Sequence, residues 1–201
     1  MITTLLLDVD GVLIFRSPEF AARMDRDYAW RDGIRAFMAE LGRHPGEEAS
    51  LVGNGDVLTL TTELLPAHVS GLDPQEFLDR WFAEDIVVNR ELVELLAQTN
   101  FEAIYLATNQ DPVRGKYIAD MFATEPWLDG CFASYALGCA KPDPEFFRIA
   151  LARIGVQPQE CVFIDDKLKY LAGATTVGIA TIHYRDLAQV TAELRDLGLL
   201  A

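Results

Sequence analysis

Two carboxylates separated by a single residue follow the first apolar run of the chain. Asp8 and Asp10 come directly after residues 3–7, and Gly11 follows Asp10. Because strand side chains alternate with a period of two, both carboxylates would point the same way from the carboxyl end of a strand, and Gly11 permits a sharp turn there. Such a pair fits a metal site, a nucleophile with an acid–base partner, or a solvated strand end. By itself it does not decide among them.

A second acidic pair, Asp165 and Asp166, follows another apolar run at residues 161–164. Adjacent carboxylates repel each other unless a cation or a set of hydrogen-bond donors compensates. This pair therefore favours a metal site more strongly than the first pair does. Ligand sets made only of oxygen favour magnesium over zinc.

Single polar residues complete the set of candidates. Thr108 and Asn109 follow residues 103–107, where a hydroxyl and an exposed main-chain amide can donate to a phosphoryl oxygen. Lys141 precedes Pro142, which restricts the lysine backbone to an extended conformation and so fixes one positive charge for an anion. Each signal is weak alone, because threonine is common at strand ends and loop lysines are usually solvated.

The elements that must position these residues alternate along the chain. Short apolar runs predict buried strands at residues 3–7, 103–107, 131–133, 161–164 and 178–183. Helical segments lie between most of them: one capped by Asn89, one over residues 112–122, one from Asp143-Pro144 to Gly155, and one over residues 187–197. The alternation predicts an α/β fold with a parallel sheet covered by helices on both faces. Ligands bind at the carboxyl ends of such strands.

Residues 16–87 interrupt this alternation with several helical segments and no convincing strand. The first helix starts near Ser17-Pro18, the second runs from Ile34 to a stop at Gly42, the third covers residues 56–65 and ends at Pro66, and the fourth is capped by Asp73-Pro74. An all-helical insertion after the first strand predicts a cap domain on an α/β core. The alternative is a helical layer that packs on the sheet without gating the site.

The composition limits the partners. The chain has 201 residues and a net charge of −14, which repels nucleic acid and anionic lipid. Its cysteines, Cys131, Cys139 and Cys161, form no CxxC pair and indicate buried thiols in a reducing compartment. The first residues lack the basic region of a signal peptide, and no stretch reaches transmembrane length. These features predict a soluble, cytoplasmic protein with no nucleic-acid or membrane partner.

The polar motifs, taken in order, resemble those of phosphatases in the haloacid dehalogenase superfamily. They are Asp8-Val9-Asp10-Gly11-Val12, Thr108-Asn109, Lys141-Pro142 and Asp165-Asp166. The resemblance covers essentially the whole chain. It implies a Rossmann-like core, residues 1–15 and 88–201, with a helical cap of residues 16–87. The stretch from Lys141 to Phe147 is similar to the branch that contains small sugar-phosphate phosphatases, beta-phosphoglucomutases and the phosphatase domain of soluble epoxide hydrolases.

The resemblance implies a phosphatase that acts on a small phosphorylated metabolite, for example a sugar phosphate, through an aspartyl-phosphate. Asp8 is the expected nucleophile, while Asp10 protonates the leaving alcohol and then activates water. The residues expected to bind phosphate or substrate are Thr108, Asn109, Lys141, Gly11 and Arg16. The expected ligands of magnesium (Mg²⁺) are Asp8, the Asp10 carbonyl oxygen, Asp166, and Asp165 directly or through water.

The charges of these residues make a cation necessary. The four motif carboxylates, if all are ionised, exceed the single Lys141 ammonium by three negative charges, and the substrate is itself a dianion. Magnesium together with a protonated Asp10 would bring the site to neutrality. One departure from the family pattern affects the surroundings of the metal, because Tyr170 stands where members often have an asparagine.

Other functions, within the same superfamily and outside it, stay open at this stage. A phosphomutase shares every motif. A 2-haloacid dehalogenase is disfavoured by Asp10, because those enzymes lack an acid at that position. A non-enzymatic phospho-receiver carries its acidic pair on the first strand, whereas here the pair comes last. The substrate is not specified, although Phe15, Arg16 and Arg23 lie where they could contact it.

Overall fold

A central parallel sheet organises the molecule in the computed structural model, which describes residues 1–200. The strands are β1 (Thr4–Leu7), β2 (Ile14–Arg16), β3 (Ile86–Val88), β4 (Ala103–Thr108), β5 (Gly130–Ala133), β6 (Cys161–Asp165) and β7 (Ala180–His183). The main sheet has five parallel strands in the order β5-β4-β1-β6-β7. All the strands predicted from apolar runs are therefore confirmed, and β1 lies at the centre.

Helices of the core cover both faces of this sheet, and further helices form the insertion. In chain order the helices are α1 (Phe20–Asp27), α2 (Ile34–Leu41), α3 (Pro45–Ser50), α4 (Val57–His68), α5 (Pro74–Asp85), α6 (Arg90–Leu96), α7 (Pro112–Phe122), α8 (Ser134–Leu137), α9 (Pro144–Ile154), α10 (Leu168–Thr176) and α11 (Leu187–Asp196). Leu5 and Leu7 of β1 pack on one face with α6, α7 and α11, while Leu6 packs on the other with α9 and α10. This alternation buries β1 on both sides, as the predicted α/β fold requires.

The helix ends follow the predicted chemistry. The Asn89 side chain accepts a hydrogen bond from the Leu92 main-chain amide at 3.2 Å, and the Asp143 side chain accepts one from Glu145 at 2.9 Å. Gly155 adopts a φ of 86° and ends α9. These caps set the directions of α6 and α9, and α9 begins directly after the loop that carries Lys141.

The insertion contains α1 to α5 and has its own apolar cluster, centred on Phe37 and Phe77. Its two connections to the core pair as antiparallel strands, β2 with β3. The expectation that this region lacks strands was therefore wrong at its ends, because each strand is only three residues long and gains its hydrogen bonds from the other. The short helix α3 was also not predicted.

Helix α4 does not end at Pro66 as expected but continues to His68. Pro66 lies on the exposed face of the last turn. The missing proline N–H removes a single helical hydrogen bond there, and the Val69 amide still donates to the Leu65 carbonyl at 3.1 Å. No helix among residues 1–200 is both long enough and apolar enough to cross a membrane.

Candidate active site

The carboxyl ends of three adjacent strands bring the predicted residues together. In β1, Leu7 is paired with Leu106 of β4 on one side and with Ile164 of β6 on the other. Asp8 and Asp165 each come one residue after these paired positions, and Thr108 comes two residues after. Strand order alone therefore places all three polar groups at one edge of the sheet.

Lys141 lies fully buried between two of these carboxylates. Its Nζ donates to Asp8 Oδ1 at 2.8 Å and to Asp165 Oδ2 at 2.7 Å. The rings of Phe163 and Tyr170 lie 5.0 and 4.9 Å from the same ammonium. Such a lysine cannot leave the site without stranding two buried carboxylates, so it fixes the orientation of Asp8. Tyr170 thus contacts the lysine, which gives its ring a role different from that of the asparagine usual in the family.

Two neighbours hold the Lys141 loop in place. The Asn109 side chain makes a reciprocal pair of hydrogen bonds with the Lys141 main chain, both 2.9 Å long. Gly173 of α10 lies against the carbonyl oxygen of Pro142, where an added Cβ would stand only 2.2 Å from that oxygen. A side chain at position 173 would push the lysine loop away from β1. The Asn109 side chain is engaged in this way, which leaves its main-chain amide as the group available to a phosphate.

The environment of Asp8 opposes its ionisation. Burial raises the pKa of Asp8 to about 6; the neighbouring Asp165 carboxylate adds to this, while Lys141 acts in the opposite direction. An added cation near Asp8 would favour the ionised, nucleophilic form.

Three carboxylates at the same edge could share such a cation. Asp8, Asp165 and Asp166 each offer an oxygen, and these oxygens all lie within 4.8 Å of one another. Gly11, with a φ of 92°, makes room for the group: an added Cβ would stand 2.7 Å from an Asp166 oxygen. The Lys167 ammonium lies 3.4 Å from Asp166. An all-oxygen set of this kind fits magnesium.

Asp10 is engaged by two residues that the sequence analysis missed. Arg114 donates to both carboxylate oxygens, at 2.7 and 2.8 Å, and Gln110 donates to one of them at 2.5 Å. The Gln110 amide also donates to the Thr108 hydroxyl at 3.1 Å, which links Thr108 to this network. Gln110 precedes the helix cap Asp111, and Arg114, four residues further on, lies in the first turn of α7; the Arg114 guanidinium also donates to the Gln110 side-chain oxygen at 2.7 Å. That spacing, directly after the second motif, was the available signal.

The Arg114 contact changes the expected state of Asp10. Burial raises the pKa of Asp10, but the hydrogen bonds and charge of Arg114, with a further hydrogen bond from Gln110, lower it below its usual value. Asp10 is therefore ionised in this arrangement, contrary to the protonated form assumed in the charge count. The count also omitted two cations, Arg114 and Lys167, which reduce the excess of negative charge near the motifs from three to one.

A cleft of about 510 Å³ lies between this edge of the sheet and the helical insertion. Asp8, Asp10 and Thr108 form one end of it, and helices α2 to α5 contribute to the opposite wall. Phe15 and Arg16 of β2 line the cleft as expected. Arg23 is engaged elsewhere, since its guanidinium is bonded to Glu84 and Glu19.

A family model for haloacid dehalogenase-like hydrolases matches residues 2–178, which is most of the chain. The chain belongs to that family of hydrolases. The resemblance stated from the motifs is confirmed, and so is the corresponding α/β fold. The roles of individual residues are not fixed by family membership and are taken up below.

Curated relatives of this hydrolase include phosphatases. It is 33% identical over 110 residues to flavin mononucleotide hydrolase 1 of Arabidopsis thaliana, a match covering 55% of this chain and 44% of that protein. It is 35% identical over 95 residues to a sesquiterpene phosphatase of Aspergillus oryzae, covering 47% of this chain and 48% of that protein. The chain thus spans less than half the length of these two relatives.

Solved structures share the fold. A HAD family enzyme from Bacteroides thetaiotaomicron, in complex with magnesium and inorganic phosphate, superposes with a TM-score of 0.73 at 21% identity, covering 92% of this chain and 95% of that one. An L-2-haloacid dehalogenase from Xanthobacter autotrophicus superposes with a TM-score of 0.66 at 17% identity, covering 98% and 83%. At these identities the likeness concerns the fold alone.

Proposed function

We propose that this hydrolase is a magnesium-dependent phosphatase that cleaves a small phosphomonoester through a phosphoryl group carried on Asp8. The observation that carries the proposal is the buried Asp8, oriented by Lys141 at 2.8 Å at the floor of the cleft and flanked by Asp165 and Asp166. A carboxylate so placed is positioned to attack phosphorus.

In the first step, an Asp8 oxygen forms a bond to phosphorus while the bond from phosphorus to the alcohol oxygen breaks, and the alcohol takes up a proton from the protonated Asp10 carboxyl group. In the second step, Asp10 accepts a proton from a water molecule as that water attacks phosphorus, and phosphate and the Asp8 carboxylate are released. The ionised Asp10 suits this second step directly. For the first step, Arg114 must release one Asp10 oxygen so that it can carry a proton.

The residues that would stabilise the transferred phosphoryl group surround Asp8. The Thr108 hydroxyl and the Asn109 main-chain amide donate to its oxygens, and Lys141 neutralises part of its charge. Gly11 leaves room beside Asp166, and Arg16 lies at the mouth of the cleft. Magnesium would be held by Asp8, Asp165, Asp166 and the Asp10 carbonyl oxygen. When bound, it supplies positive charge that favours ionised Asp8 and offsets the negative phosphoryl oxygens.

Residues 16–87 are proposed to act as a cap over the cleft. Supporting this, the insertion has its own apolar cluster and joins the core through the two short strands β2 and β3. Hinges near residues 15–17 and 87–89 would let it open for substrate entry. Crystal structures with and without a phosphate analogue would then differ by a rigid-body shift of the insertion; identical positions would leave it only a packing role.

Two other activities of the superfamily can be separated from the proposed one by their chemistry. A haloacid dehalogenase attacks carbon and needs no metal, so Asp10 and the carboxylate set around Asp8 favour phosphoryl transfer. A phosphomutase uses the same groups and differs only in whether a second hydroxyl of the substrate replaces water. Release of free phosphate distinguishes hydrolysis from mutase activity.

The proposal is tested by a magnesium-dependence assay on a generic aryl phosphate. EDTA should abolish phosphate release, and excess magnesium should restore it, because the carboxylates around Asp8 need a cation. Zinc added in place of magnesium serves as the control for ion type. Full phosphate release from a rigorously metal-free preparation would contradict the proposed mechanism.

A further inference from the structure

The wall of the cleft that faces the proposed leaving group is mostly apolar. The insertion contributes the side chains of Met38, Leu41, Leu51, Val57, Leu60 and Trp81. The Trp81 indole N–H donates to Asp85 at 3.2 Å, so its polar atom is already satisfied and its ring offers apolar surface. Besides Glu47, the polar side chains on this wall are Asp85 and Ser50, whose hydroxyl donates to the Glu47 carbonyl at 2.7 Å. An alcohol that fills this part of the cleft therefore meets fewer groups than a sugar with several hydroxyls would require.

The charged residues near this wall disfavour a second anion on the leaving group. Glu47 lines the cleft, and its carboxylate has neither an ion pair nor a hydrogen-bond partner anywhere in residues 1–200. Burial, and then the nearby Asp111 and Glu48 carboxylates, raise the pKa of Glu47, which reflects an environment already rich in negative charge. A carboxylate or second phosphate placed here would be repelled.

The cations that could compensate are engaged or peripheral. Arg114 is bonded through both terminal nitrogens to Asp10. Arg16 is exposed at the mouth, and its charge acts on Asp85. Lys141 and Lys167 lie at the phosphoryl end with Asp8 and Asp166. Apart from Arg16 at the mouth, the positive charge of the cleft is thus concentrated where the phosphate sits, and within the described part of the chain the helices of the insertion contribute no cation to its lining.

We propose that the substrate is the phosphomonoester of a mainly apolar alcohol without a second anionic group. The apolar insertion wall takes the alcohol, and Glu47 excludes analogues that carry an extra carboxylate or phosphate. This inference rests on the proposed phosphatase function and narrows its substrate class. Hydrolysis consumes one water and releases the alcohol and inorganic phosphate.

The test compares two benzyl phosphates of matched shape, one with a para-isopropyl group and one with a para-carboxylate. The CH₂ between ring and oxygen keeps the two leaving alcohols similar in acidity, so the comparison reports on binding in the cleft. The kcat/KM of the isopropyl ester should exceed that of the carboxylate ester by roughly 100-fold. Glucose 6-phosphate should also be a poor substrate.

Substitutions test whether Glu47 causes the difference in kcat/KM between the two esters. Glu47→Gln should raise the kcat/KM of the carboxylate ester by about 10-fold, because it removes a like charge from the wall. Asp32→Asn, at an exposed position of the insertion that does not line the cleft, should leave the ratio of the two esters unchanged.

The two possible failures are distinguishable. If an aryl phosphate is hydrolysed in a reaction that requires Asp8, but the carboxylate ester or glucose 6-phosphate matches or exceeds the isopropyl ester, the substrate inference is overturned and the phosphatase proposal stands. If no phosphate ester is hydrolysed under any metal condition, both are overturned.

Discussion

The two walls of the cleft are built on different principles. At the edge of the sheet, which we call the sheet wall, charged groups are paired with one another: Lys141 is buried between Asp8 and Asp165, and Arg114 contacts Asp10. On the insertion side, apolar residues dominate, and Glu47 has no partner in the described chain. The first arrangement is suited to chemistry that is the same for every substrate. The second is suited to choosing among alcohols.

The largest expected effect on activity is at Asp10, and it tests whether the sheet wall acts in the same way on every substrate. Asp10→Asn removes an acid–base group from the sheet wall, and such a group typically contributes about 10² to 10⁴-fold to the rate. We expect kcat to fall by that range for every alkyl phosphate, whatever the shape of its alcohol. Steady-state kinetics on the two benzyl phosphates and a simple alkyl phosphate measure this. A loss confined to one of them would mean that the sheet wall also selects substrate.

A smaller effect is expected at Arg114, a positioning residue. Arg114→Gln removes the charge that lowers the pKa of Asp10, and burial then raises that pKa. Asp10 must be ionised to activate water, so the acidic limb of the pH profile of kcat should move to higher pH, with a loss of roughly 10-fold at neutral pH. Lys116→Gln, an exposed lysine on the same helix, is the control. An unchanged pH profile would show that Arg114 does not act through Asp10.

The smallest expected effect is on the stability of the folded protein, and it concerns Asp8 of the sheet wall. The pKa of Asp8, about 6 in the folded protein, exceeds its usual value of 3.8, so the folded state binds this proton more tightly. That contribution to stability is present at low pH and is lost as the pH rises from about 4 to about 6. In EDTA at neutral pH, Asp8→Asn should therefore raise the free energy of unfolding, by on the order of 1–3 kcal/mol.

Urea unfolding at neutral pH and near pH 4 measures this difference. The gain from Asp8→Asn should shrink near pH 4, where Asp8 is largely protonated. Asp32→Asn, at an exposed position, should show no such dependence. A destabilised Asp8→Asn protein at neutral pH would mean that the attraction of Lys141 exceeds the effect of burial.

Much of the sheet wall was predictable, because each part is encoded locally. An apolar run ends in a polar motif three times, and a parallel sheet with β1 at its centre brings Asp8, Thr108 and Asp165 to one edge. The caps at Asn89 and Asp143 were equally local. These signals need no knowledge of how distant elements pack.

The parts that were missed depend on packing between distant segments. Arg114 and Asp10 are 104 residues apart in the sequence and meet only in the folded chain, although the spacing of Arg114 from Gln110 was a usable signal. The sequence gives no reason for a glycine at position 173 of α10. Only the tertiary structure shows that Pro142 packs against it and leaves no room for a side chain. In the insertion, the pattern of Met38 or Trp81 predicts a buried helix face, and only the tertiary structure shows that they line a cleft.

Intact-mass analysis after an acid quench tests most directly whether Asp8 carries the phosphoryl group. With magnesium and an aryl phosphate, whose leaving group needs little protonation, Asp10→Asn should transfer phosphate to Asp8 and then stall, because no base activates water. We expect a phosphoryl adduct on Asp10→Asn that maps to Asp8, and none on Asp8→Asn. Substantial phosphatase activity in Asp8→Asn, or an adduct at another residue, would contradict this role of Asp8.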